Sequence, residues 1–472
     1  MSHSRKRNVS RRDFLRLAGT GLAAAGVGSF LQGCAPQPTA APTAAPTKAP
    51  TAAPTAAPVG EDLTMWWWGE QEAVGLELWV QESVELFKEQ TGHTVAPTLQ
   101  DTDVVISQFQ TASAANDAPD IQFFWNGSYC LESAWLGYVE PLNDLIPADV
   151  LKDSNATVLS LYGGKQYRLG WYGLPMLWTY GKEVFDKAGL NADEPPQDWD
   201  SFLDACDKLK TAGFIPCSAG LKDGFWGEWW LGQTLVHDLD SAGQAIDLFL
   251  GKLDWREPKY VSHWAKLKEL WDAGFLNDDM QSIELYPGIE LMMAGKSGMA
   301  MTIGGLVPEA QRLLGDDGVG VMIFPYGGEG EWAGQKPIAD TQGLGISSQS
   351  EHKEEAAEFL LFLQSEERMN ALWDGPKQPP ANVNFDGNRI KDPVLKKMWS
   401  DWMQVDFLPW IPDLMPVMFW SDAMFVNAQN IIAGEWDGEQ CAENSYEVTQ
   451  KWKEQSPDMV EKYEIWKEDL SG

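Results

Sequence analysis

"LTMWWWGEQEAVGLELWVQESVELFKEQTGHTVAPTLQ" (Leu63–Gln100) reads as strand, helix, strand. Leu63–Trp68 is a short apolar run. Leu76, Trp79, Val80, Ser83 and Phe87 then recur at helical spacing until Gly92 stops the helix. His93–Leu99 follows as a second strand. A further helix is predicted over Val104–Ala115, and "APDIQFFWNG" (Ala118–Gly127) holds a strand, Ile121–Trp125, closed by an Asn-Gly turn. This alternation predicts a parallel sheet with helices on both faces, which binds ligands beyond the carboxyl ends of its strands. Trp68, Gly69 and Glu70 fall at one such end, Trp125 and Asn126 at another. Within the tryptophan triplet, Trp66 and Trp68 share a strand face and Trp67 takes the other. A sheet covered on both sides buries both faces, so Trp66 and Trp67 are expected in the core and Trp68 at the ligand.

The chain has 472 residues, more than one hydrophobic core usually serves, which predicts two domains or lobes. With 44% apolar and 22% charged residues it is globular. Its formal charge is −34; the first 33 residues hold six Arg/Lys and one acidic residue, so the remainder carries about −39. Such a surface repels nucleic acid and anionic lipid headgroups and points to a neutral or cationic partner.

"SRRDFLRLAG" (Ser10–Gly19) places twin arginines before an apolar run, Leu15–Leu31, and resembles a twin-arginine export signal. The run ends in "LQGC" (Leu31–Cys34), which resembles a bacterial lipoprotein signal and implies a lipid on Cys34. Ala35–Pro58, with Pro at every third or fourth position, is expected to be an extended spacer, its 24 residues spanning at most roughly 75 Å. Nothing after it offers about 18 uninterrupted apolar residues, so the lipid anchor is the only expected membrane contact. Four further cysteines remain: Cys130, Cys206, Cys217 and Cys441. Cys206 lies on a helical apolar face that a short turn links to the strand holding Cys217. That pair is either a disulfide or two buried thiols.

Later segments keep the same alternation. "PQDWDSFLDACDKLKTAGFIPCSAG" is a helix with Trp199, Phe202, Leu203, Cys206 and Leu209 on one face, then a strand. "GKSGMAMTIGGL" (Gly295–Leu306) and "GVGVMIFP" (Gly318–Pro325) are strands, and His352–Trp373 is predicted as one long amphipathic helix. "LTMWWWGEQ…LFKEQTGHTV", "APDI", "YGLPM…YGKEVFDKAGLN", "DWDSFLDACDKLKTAG", "GKSGMAMTIGG", "FPYGGEG", "GLGISSQSEHKEEAAEFLLFLQSEE" and "FLPWIPDLMPVMFW" stand in an order that resembles extracellular solute-binding proteins of ABC importers. The likeness covers nearly all of Leu63–Lys453 and is greatest to the carbohydrate-binding group that includes maltose-binding protein.

The resemblance implies an α/β, periplasmic-binding-protein-like fold. Two lobes, each with a largely parallel sheet flanked by helices, are joined by a multi-strand hinge. Residues 61–173 plus 326–373 form one lobe and 174–325 plus 374–472 the other, after a signal (1–33) and a linker (34–60). It implies a saccharide ligand, permease subunits as partners, a monomer, and tethering to the outer face of the cytoplasmic membrane. No catalytic residue, cofactor, metal or nucleic acid is expected. Where the family often has Tyr-Asn-Lys, this chain reads Tyr180-Gly181-Lys182, so no role is carried to that position.

Aromatic rings stack on the C–H faces of sugars while a few polar groups take the hydroxyls. The likeness places ligand contacts at Glu70, Trp125 and Asn126 in the first lobe, where Trp68 is already expected from its strand end. In the second it places them at Trp226, Trp229 and Trp230 of "DGFWGEWW" and at Trp420 of "VMFWSDAM", beside which Asp422 either accepts a hydroxyl or caps the next helix. Asp340, in "IADTQGLGIS", joins them as a candidate near the cleft. The family's aromatic just after "MTIGG" would fall near Val307 and is absent, so the pocket differs from that of maltose-binding protein. The five histidines form no metal spacing, and no GxSxG or P-loop occurs. A glycosidase needs only two carboxylates about 5–9.5 Å apart. An exported carbohydrate-active enzyme or redox protein is therefore one alternative, and a binding protein for a non-sugar solute such as a polyamine is another.

Overall fold

A computed structural model describes residues 60–102, 104–154, 159–403 and 407–470. The signal, the linker up to residue 59 and the lipidation expected at Cys34 lie outside the described residues. Eleven strands run in chain order: β1 Asp62–Trp67, β2 Thr94–Leu99, β3 Ile121–Phe124, β4 Leu161–Tyr162, β5 Lys165–Gln166, β6 Leu169–Gly181, β7 Ile215–Ser218, β8 Ser297–Ile303, β9 Val319–Met322, β10 Ile338–Ile346 and β11 Leu408–Pro409. Strands β4 and β5 form a small hairpin. The others make one nine-stranded sheet in the order β2-β1-β3-β10-β6-β8-β7, with β11 beside β10 and β9 beside β6.

Parallel ladders occupy the flanks, where β1 pairs with β2 and β3, and β7 with β8. The long strands β10 and β6 are antiparallel to their main neighbours. β6 changes partners along its length: Leu169–Met176 pairs with β10, and Met176–Gly181 pairs with β8 and β9. It carries the sheet from one group of strands to the other. Every residue of "LGWYGLPMLWTYG" is buried, as a strand covered on both faces requires.

The helix Leu76–Thr91 buries the face read from its periodicity, Leu76, Trp79, Val80, Ser83 and Phe87, and Val84 beside it. Gly92 ends it in the left-handed conformation, φ 87°. Burying its aliphatic and aromatic side chains stabilises the fold by roughly 10 kcal/mol before the cost of ordering the chain. Trp79 packs on Trp171 of β6, which also meets Trp67 edge-to-face.

Two expectations need correcting. Trp66 is only half-buried, whereas Leu63, Met65 and Trp67 on the opposite face of β1 are sealed. The face it shares with Asp62 and Thr64 is polar, and the Thr64 hydroxyl donates to Asp120 at 2.8 Å. The segment His352–Trp373 is two helices, Lys353–Leu363 and Glu366–Asp374. Ser365 interrupts it by capping the second, its hydroxyl accepting the Arg368 N–H.

Cys206 and Cys217 do meet across the helix–strand packing. Their Sγ atoms are 3.7 Å apart, as thiols. Among the described residues no helix is long and apolar enough to cross a membrane.

Candidate functional site

A cavity of about 700 Å³ opens at the carboxyl ends of β1 and β3, where the chain leaves the sheet. Trp68 stands at the first end, 3% exposed, its indole N–H donating to the Thr102 hydroxyl at 2.8 Å. Trp125 stands at the second. The two rings lie 5.3 Å apart and tilted by 60°, and Tyr129 packs edge-on against Trp125 at 5.5 Å. The opposite wall comes from three places: the helix Phe225–Thr234 with Phe225, Glu228 and Trp229, the segment Leu285–Tyr286, and the loop carrying Trp410, Asp413 and Trp420. Trp420 packs between Phe225 (5.2 Å) and Phe425 (6.3 Å).

The polar lining is acidic. Glu72, Glu132, Asp223, Glu228, Asp340 and Asp413 all border the cavity, against Lys222 alone among basic side chains. Lys222 is already paired with Glu284 at 2.6 Å. Burial pushes the Glu72 carboxyl up to about 8, although Tyr172 donates to it at 3.0 Å and Gln342 lies at 3.2 Å. Burial likewise pushes Glu228 up to about 8, against the pull of the neighbouring Trp420 and Trp410 indoles. Glu132, partly open, accepts the Val417 N–H at 3.1 Å and is pushed to about 7 by desolvation.

Asp340 and Asp413 face one another. Burial, and then the Asp340 carboxylate, drive Asp413 well above the usual range. Burial raises Asp340 as well, against the pull of the fully buried Arg168 behind it, which donates to the Thr341 hydroxyl at 3.2 Å. Glu228 Oε2, Asp413 Oδ2 and Trp420 Nε1 have no hydrogen-bond partner. Such groups are costly to bury unless something else completes them. Among the described residues no three His, Cys, Asp or Glu side chains converge as metal ligands.

The structure brings Trp68, Trp125, Trp229, Trp420 and Asp340 together in the lining. Asn126 lies beneath it, donating weakly to Asp340 at 3.4 Å and accepting the Ser160 hydroxyl at 2.8 Å. Four candidates are used elsewhere. Trp226 and Trp230 stack on each other at 5.6 Å in the core, and the Trp230 indole donates to the His263 carbonyl. Glu70 caps the first helix, accepting the Gly75 and Glu77 N–H groups at 2.8 and 2.6 Å. Asp422 is held by Lys451 at 2.7 Å. Reading from sequence missed Glu72, Tyr129, Glu132, Glu228, Tyr286, Trp410 and Asp413. Glu228 was in view, inside "FWGEWW", but a carboxylate between tryptophans on a helix gives no sign of its direction.

Residues 72–369, more than half of the chain and including most of this lining, match the bacterial extracellular solute-binding protein family. The chain belongs to that family. The sn-glycerol-3-phosphate-binding periplasmic protein of Agrobacterium fabrum (strain C58) is 23% identical over 403 residues, 77% of this chain and 88% of that one. The protein of the same name from Yersinia enterocolitica is 28% identical over 203 residues, which is 40% of this chain and only 42% of the relative's length. In structure, this solute-binding protein is similar to a chitin oligosaccharide binding protein, with TM-score 0.73 and 19% identity over 83% of this chain and 98% of the other. It is also similar to the maltose/maltodextrin-binding domain MalE of Bdellovibrio bacteriovorus bound to maltotriose, with TM-score 0.65 and 17% identity over 83% and 100%. At these identities the structural likeness establishes the fold alone, a periplasmic-binding-protein-like α/β architecture. The named relatives are described as binding proteins.

Proposed function

We propose that this solute-binding protein captures a mono- or oligosaccharide and delivers it to the membrane subunits of an ABC sugar importer. One observation carries the reading: a cavity walled by Trp68, Trp125, Trp229, Trp410 and Trp420 that also presents polar atoms lacking partners. Flat apolar rings beside unsatisfied carboxyls suit a ligand with C–H faces and peripheral hydroxyls. The relatives' names also raise sn-glycerol 3-phosphate. A phosphate would enter among six carboxyls with Lys222 already engaged, and each of them that is ionised would cost roughly 3 kcal/mol at about 6 Å near a protein surface.

In this reading residues 61–173 plus 326–373 form one lobe and 174–325 plus 374–472 the other. Support comes from β6, which exchanges β10 for β8 and β9 at Met176. The lobes close on the ligand, whose binding energy shifts the open–closed equilibrium. The helix Pro457–Asp469 leans on both, with Tyr463 5.3 Å from Trp135 and Lys467 paired with Asp247. A diacylglycerol on Cys34 tethers the monomer to the outer face of the cytoplasmic membrane through the Pro-rich spacer.

Calorimetric titration with a panel of saccharides and with sn-glycerol 3-phosphate tests the ligand. Saturable binding of a saccharide supports the reading; binding of the phosphate alone overturns it.

A further inference from the structure

The carboxyl groups of the cavity exceed what hydroxyl recognition needs. Glu228 and Asp413 are 6% and 1% exposed, come from different segments, and each keeps an oxygen without a partner. Asp340 adds a third carboxyl to the lining, with Arg168 behind it donating to Thr341 through one nitrogen. Arg168 behind Asp340 and Asp413 offsets part of their charge, while Lys222, the one basic side chain of the lining, is paired with Glu284, and no metal-ligating triad exists among the described residues. Hydroxyl groups can complete the hydrogen bonds of these oxygens but bring no counter-charge that would favour their ionised form. An ammonium does both, because it donates three hydrogen bonds and brings the counter-charge. The indoles of Trp229, Trp410 and Trp420 border the same space, and aromatic faces attract cations as well as sugar C–H groups. The net charge of −34 draws cationic solutes toward the protein and repels anionic ones.

We propose that the solute carries a protonated amine, seated between Glu228 and the Asp340–Asp413 pair, so that the preferred saccharide is an amino sugar. This rests on the saccharide reading for its scaffold, and on the carboxyl cluster alone for its charge. Burial holds Glu228 near 8 in the empty cavity, so the arriving ammonium favours the carboxylate and expels the proton.

Glucosamine oligosaccharides and their N-acetylated counterparts differ in this charge and test the inference directly. In titrations of the full protein at neutral pH, the amino form is expected to bind at least about tenfold more tightly, a ratio that shrinks in high salt. Glu228→Gln and Asp413→Asn, each checked by thermal melting for a native fold, should each reduce that ratio. Equal or tighter binding of the N-acetylated or other neutral sugars overturns the inference and leaves the saccharide reading standing. Binding of spermidine with no sugar bound overturns the saccharide reading and supports the ammonium site.

Discussion

The Trp68 and Trp125 rings meet 5.3 Å apart although 57 positions separate them, because each ends a strand of the same parallel group. Residue Trp67, one position earlier, points the other way, to Trp171. Adjacent tryptophans therefore serve different purposes. Trp67→Ala is expected to lower stability by about 3–5 kcal/mol, since it empties a sealed core site. Trp66→Ala, at a half-open position, should cost about 1 kcal/mol. Trp68→Ala should instead weaken solute affinity by about tenfold. Urea denaturation and calorimetry on the three variants check this division.

Glu70→Ala is expected to lower stability by about 1 kcal/mol and to leave affinity unchanged. Its carboxylate completes two N–H groups at the start of Leu76–Thr91 and faces the positive end of that helix. Glu72→Gln, two residues on, should change affinity, because this carboxyl borders the cavity. The same pair of measurements separates the two.

The empty protein should lose stability as pH rises from 5 to 8.5. Glu72 and Glu228 titrate near 8 and Glu132 near 7 in the folded chain, against 4.5 for a free carboxyl. Between those values the folded state holds protons that the unfolded state has released. The stabilisation is therefore complete below about 4.5 and disappears as pH passes through 7 to 8. Thermal melting across this range should show the fall, and Glu228→Gln should flatten it.

Thiol labelling of the native protein should leave Cys206 and Cys217 unmodified, since both are buried, and should reach them after denaturation. Mass spectrometry without reductant reads the result; an intact disulfide would contradict the thiol pair seen 3.7 Å apart.

Much of the first half was legible because its signals are local. The buried stripe Leu76, Trp79, Val80, Ser83 and Phe87 and the stop at Gly92 follow from periodicity and from one residue's backbone freedom. The insertion of β10 between β3 and β6 is a pairing across roughly two hundred residues, and no local pattern encodes it. The shift from Glu70 to Glu72 has a nearer cause. Gly69, at φ 136°, lets its carbonyl accept the N–H groups of Glu72 and Ala73, and this turn delivers Glu72 to the cavity instead of Glu70. A Cβ at Gly69 would stand 2.4 Å from the Tyr172 hydroxyl, so the turn requires glycine. Trp226 and Trp230 were misplaced for a different reason: on a helix buried on nearly every side, identity does not tell which ring faces the cavity.

A crystal structure with the best-binding saccharide tests the central claim most directly. The expected result is a sugar ring packed against Trp68, Trp125 or Trp420, with a donor on Glu228 Oε2 or Asp413 Oδ2. A ligand seated outside this cavity, or an anionic group held at Lys222, would contradict it.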